Sequence, residues 1–180
     1  MPPGETGPTR SPVTVLQMVD GTRPDPADRG SPALLVSACL LGRLCNHRGG
    51  ASPRPAVEAL ADGFRLLPVC PEVEGGLPVP RPAAEITVDG NVRTVDGDDV
   101  TAQYRAGAEV AVSLARTNDV VGAVLKARSP SCGSAEVYDG TFTRELVPGE
   151  GLTAKALRAA GYEVMSEEDV SEGRIPGGAS

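Results

Sequence analysis

Apolar residues in this chain gather into short, clean runs separated by loops rich in Gly and Pro. The run Ala33-Leu34-Leu35-Val36-Ser37-Ala38 is continuous, and Gly42 follows it. That pattern predicts a strand buried on both faces, as in a parallel sheet. Ala56–Ala61 reads as a short helix stopped by Gly63, and Phe64–Val69 as a second buried strand with Pro71 just beyond it. Glu85–Val88 and Val92–Val95 flank Asp89-Gly90-Asn91, which predicts a tight hairpin. The longest helical pattern runs from Ala102 to about Arg116, with Ala106, Val110, Ala111 and Leu114 as its apolar face. Asp98, Asp99 and Thr101 are its N-cap candidates. Val120–Leu125 is a third buried strand, and 138–151 has the composition of a loop. A helix over Leu152–Ala160 ends at Gly161, and a last strand covers Tyr162–Met165.

Strands alternating with helices predict an α/β fold: one domain, with a mostly parallel sheet flanked by helices in Rossmann-like layers and a small β-hairpin insertion. Its expected bounds are 32–170. Residues 1–31, which include VTVLQMV, read as a flexible tail, and 171–180 as a frayed end.

Composition narrows the picture. The chain has 180 residues, 40% of them hydrophobic but only 3% aromatic, so Ala, Val and Leu must fill the core. A formal charge of −7, with no basic run, argues against a nucleic-acid partner. No segment reaches the roughly 18 apolar residues of a membrane span, and the N-terminal stretch lacks a signal-peptide pattern. A cytoplasmic location is therefore expected. In a reducing compartment the four cysteines read as metal ligands or reactive thiols before they read as disulfides.

Cys39, Cys70 and Cys132 each follow a predicted strand. Ligands of open parallel sheets gather beyond the carboxyl ends of the strands, so these three loops can converge. Converged thiolates suit zinc or a cubane iron–sulfur cluster, and spacing leaves the choice open. Cys45 is a possible fourth ligand. Glu72, two residues after Cys70, is a candidate general acid or base, with Glu74 its competitor, and Gly75-Gly76 would let backbone approach a ligand. Ser129 and Ser131 bracket Pro130 ahead of Cys132 and could hydrogen-bond a cluster sulfide or a substrate atom. Lys126 could face an anionic intermediate. His47 is the single histidine, so a two-His zinc site is excluded. No GxGxxG, P-loop or GxSxG motif is present.

In order, VSACLLG, PVCPEVEGGLPVPRPAAEI, DGDDVT, VLKARSPSCGS and YDGTF resemble the thiouracil desulfidase family over about residues 33–169. The resemblance implies a 4Fe–4S cluster on Cys39, Cys70 and Cys132 with one open iron, a catalytic carboxylate at Glu72 and an assisting hydroxyl at Ser129. It implies non-redox desulfuration of a small thiolated compound: sulfur binds the open iron, water assisted by Glu72 attacks the adjacent carbon, and sulfide leaves. Iron–sulfur assembly machinery would load the cluster. Relatives commonly carry Arg-Tyr-Asp-Gly where this chain reads Asn46-His47-Arg48-Gly49, which bears on the substrate. The competing expectation is a non-catalytic zinc or iron–sulfur module closed by Cys45. A thiol-dependent transferase using Cys132 is a third.

Overall fold

The computed structural model describes residues 30–177. The first strand, β1 (Ala33–Ser37), is buried at all five positions, as its unbroken aliphatic run requires. It pairs in parallel with β2 (Arg65–Val69) on one side and β5 (Val120–Leu125) on the other, and β5 pairs in parallel with β8 (Val164–Ser166). The sheet order is β2-β1-β5-β8. Both faces are covered, so one domain of mixed α/β type results, as expected.

One core layer joins Leu35, Leu125 and Ala123 of the sheet to α3 (Thr101–Thr117) and α4 (Leu152–Ala159) through Ala111, Ala115, Ala154 and Leu157. The opposite layer joins Leu34, Val36 and Val124 to α1 (Pro55–Glu58), the 3-10 turn behind it, and α5 (Glu167–Ser171) through Val57, Leu60 and Val170. The expected hairpin is present as β3 (Ala84–Ile86) and β4 (Val92–Thr94), and Val92 packs with Tyr104 of α3.

Three features differ from the sequence reading. The buried face of α3 is Tyr104, Gly107, Ala108, Ala111 and Ala115, whereas Ala106 and Leu114 are exposed. Close packing selects the small residues, because α2 (Pro71–Glu74) lies so near that a Cβ on Gly107 would stand 1.8 Å from the Pro71 carbonyl oxygen. Within the supposed loop 138–151, Leu146–Pro148 (β7) pairs antiparallel with Glu136–Tyr138 (β6). The supposed frayed end holds part of α5, and beyond it Pro176 is buried and Gly177 N–H donates to Glu163 Oε2 at 2.9 Å. Of the tail expected over 1–31, residues 1–29, with VTVLQMV, lie outside the described residues. Among the described residues no helix is long and apolar enough to cross a membrane.

Candidate active site

The sheet delivers the cysteine loops to one edge. Cys39 lies in the 3-10 turn Ala38–Leu41 that ends β1, and the chain then reverses at Gly42, whose φ of 85° favours glycine. Cys70 follows β2 directly and caps α2. Cys132 sits in the loop after β5. All four cysteines are free; Cys45 and Cys132 are buried, and Cys39 and Cys70 half-buried.

The thiols share one electrostatic neighbourhood. Burial, and then the nearby Cys70 thiol, push Cys39 up to about 11, while Lys126 pulls it down. Burial pushes Cys132 up to about 12 against a hydrogen bond from Ser37, whose Oγ lies 3.4 Å from the Cys132 sulfur. The Cys70 thiol donates to the Cys45 carbonyl at 3.6 Å and is drawn down to about 7, chiefly by the neighbouring Cys45 thiol, while Cys45 is pushed up by the same neighbour and by burial. Without a metal, Cys39 and Cys132 therefore keep their protons at neutral pH, and metal binding would release them. Among the described residues no group of three or more Cys, His, Asp or Glu side chains is arranged to hold a metal ion.

Beside them stands a polar network around Glu72 of α2. Its Oε2 accepts from Arg81 Nε at 2.7 Å, and Arg81 Nη2 is also 2.7 Å away. Its Oε1 accepts from Ser129 Oγ at 3.3 Å. The Ser129 oxygen in turn accepts from Ser131 N–H at 3.1 Å and Cys132 N–H at 3.2 Å. One hydroxyl, donating once and accepting twice, thereby links the carboxylate to the Cys132 loop. Tyr104 approaches Glu72 from α3, and burial and the carboxylate together push its hydroxyl upward.

Glu72 and Ser129 are thus brought together. Glu74 points to solvent. Ser131, expected beside Ser129, instead spends its buried hydroxyl on Thr153 Oγ1 of α4, 2.9 Å away, because its backbone faces the helix start. Lys126 Nζ pairs with the buried Glu167, which also accepts from Ala127 N–H at 2.6 Å. Gly75 admits the Gln103 carbonyl of α3, 2.0 Å from where a Cβ would stand, in place of a ligand. His47 contributes its carbonyl, which accepts from Arg81 N–H at 2.8 Å. Arg81, Tyr104 and Glu167 belong to the same surroundings and carry no motif that marks them in the sequence. An arginine inside PVPRP was the one available signal, since that loop is otherwise poor in charge. A cavity of about 830 Å³ lies elsewhere, over α3 and α4, lined by Arg105, Glu109, Arg116 and Lys155, and holds none of these groups.

The family model described as 2-thiouracil desulfurase matches residues 34–169. The chain belongs to the 2-thiouracil desulfurase family. Within the curated proteins the chain is similar to the uncharacterized protein YbbK of Bacillus subtilis (strain 168), 36% identical over 148 residues, covering 77% of this chain and 98% of YbbK. Among solved structures it is similar to the 4Fe-4S-dependent thiouracil desulfidase TudS, with a TM-score of 0.73 and 42% identity over 79% of this chain and 95% of TudS. That likeness shows a shared fold.

Proposed function

We propose that this protein removes sulfur from 2-thiouracil or a related thio-nucleobase, converting C=S and water to C=O and sulfide, with a 4Fe–4S cluster on Cys39, Cys70 and Cys132. The observation that carries the reading is the Glu72–Ser129 pair tied by backbone to the Cys132 loop, in a chain of this family. When bound, the cluster supplies a Lewis-acidic iron for the thiocarbonyl sulfur and a soft acceptor for sulfide.

The chain's own residues do the rest. Glu72 takes a proton from the attacking water through its carboxylate and can return it to the departing product. Arg81 neutralises Oε2, so Oε1 is the oxygen that works with Ser129. The Ser129 hydroxyl orients that oxygen, and its two backbone donors fix where the hydroxyl sits. Ser37 donates to the Cys132 sulfur, which draws charge from it. Lys126, held by Glu167, adds positive charge near Cys39. Iron–sulfur assembly machinery of the cytoplasm supplies the cluster, and the substrate is a small molecule.

The competing reading is a closed metal module with Cys45 as fourth ligand, and the Cys45–Cys70 contact favours it. Anaerobic reconstitution of wild type and the four Cys→Ser variants separates the two. The desulfidase expects about four irons and four labile sulfides in wild type and in Cys45→Ser, and loss in the other three. Zinc without labile sulfide, or equal loss in Cys45→Ser, would support the closed module.

A further inference from the structure

Arg81 lies in the loop between α2 and β3, and its side chain is only 4% exposed. A buried guanidinium needs acceptors for its donors. Here every nitrogen has one. Nε and Nη2 both reach Glu72 Oε2 at 2.7 Å. Nη2 also donates to the Cys45 carbonyl at 3.0 Å, and Nη1 to the Pro78 carbonyl at 3.1 Å. The backbone N–H of the same residue donates to the His47 carbonyl at 2.8 Å. Burial pulls the group down, yet Glu72 beside it more than offsets this, so its charge is secure.

We infer that Arg81 is a positioning residue for desulfuration: it clamps Oε2 of Glu72 and leaves Oε1 presented to Ser129 and the reacting water. The inference rests on the proposed role of Glu72. The geometry also explains why a guanidinium stands here. The fork meets a carboxylate and two carbonyls at once, in three directions fixed by one plane. A lysine offers a point charge on a flexible stem and cannot serve those acceptors together. Freed of the clamp, the Glu72 carboxylate can rotate about its own χ angles, and a misplacement of about 1 Å at a reacting group costs on the order of 100-fold in rate.

The test is a double-mutant cycle on the cluster-loaded protein with 2-thiouracil, using Arg81→Ala, Arg81→Lys, Glu72→Gln and the Glu72→Gln/Arg81→Ala pair. Arg81→Ala and Arg81→Lys should each lower kcat by about 10- to 100-fold, with KM within about threefold and iron and labile sulfide at the wild-type level. In the Glu72→Gln background, Arg81→Ala should cost less than about threefold more, because both changes remove one function. Added guanidinium ion should restore part of the kcat of Arg81→Ala and none in the double variant. Multiplicative losses, or a fall in iron content that tracks the fall in activity, would overturn the inference and make Arg81 a strut of the Cys45 loop. An active wild type with an unimpaired Arg81→Ala variant refutes this inference alone. A loaded wild type that releases no sulfide refutes the desulfidase reading and the inference with it.

Discussion

Replacing Gly107 by alanine should push the Glu72-bearing helix α2 off its seat on α3. The new Cβ would stand 1.8 Å from the Pro71 carbonyl oxygen, 2.6 Å from its carbon and 3.1 Å from its Cα. These are backbone atoms, which cannot swing aside as a side chain can. Relief to even 3.0 Å requires the helices to part by roughly 1.2 Å. The mirror contact, Gly75 on Gln103, shows that the two helices meet through glycines on both sides. Overpacking of this kind costs about 1–3 kcal/mol, and a backbone clash belongs at the upper end. Alanine returns about 1 kcal/mol through its better helix propensity. A net loss of about 2 kcal/mol should lower the melting temperature by about 4–8 °C. Because α2 carries Glu72 and is capped by Cys70, kcat should fall by a larger factor than stability alone explains, on the order of 100-fold. Melting temperature, kcat and iron content, read on the same preparations, check this. Gly63→Ala is the control, since nothing lies within 4 Å of its Cβ and its φ is −125°. Wild-type stability and activity in Gly107→Ala would refute the packing argument and the role it gives α2.

Glu167→Ala should destabilise the protein by about 2–3 kcal/mol in a denaturant titration, because Ala127 N–H and Lys126 lose their buried acceptor together. Ser129→Ala should reduce kcat about 10- to 100-fold and, by freeing the Ser131 and Cys132 N–H groups, hasten cluster loss in air, followed by visible absorbance. The Asp99 carboxyl is held below its usual 3.8 by its hydrogen bonds to Thr101, so its contribution to stability is present above that range and vanishes as pH falls through the depressed value. Melting curves of wild type and Asp99→Asn should therefore differ at pH 6 and converge at strongly acidic pH.

The sheet was legible because β1, β2 and β5 are uninterrupted aliphatic runs, and a strand buried on both faces needs little else. Elements of three or four residues, such as α2, β6 and β7, are too short to show a period, and long-range packing decides them. The buried face of α3 misled for a different reason. Helical spacing marks Ala106, Val110, Ala111 and Leu114, but contact with α2 and α4 favours the neighbouring face, which carries Gly107, Ala108 and Ala115. Cys39, Cys70 and Cys132 are legible as candidates because they follow strand ends, where chain direction alone brings loops together, and Glu72 because it lies two residues after Cys70. Arg81 could not, since its partners lie 9 and 36 residues away and its burial is a property of the folded loop. Ser131 and Ser129 look alike in sequence, and only the approach of Thr153 from α4 gives them different partners.

The most direct measurement of the central claim is a single turnover of anaerobically reconstituted protein with 2-thiouracil, following uracil and sulfide together. The account expects both products in equal amount with no added reductant or oxidant, and their formation slowed by orders of magnitude in Glu72→Gln at the same cluster loading. Uracil without sulfide, a requirement for an electron donor, or full turnover by Glu72→Gln would contradict it.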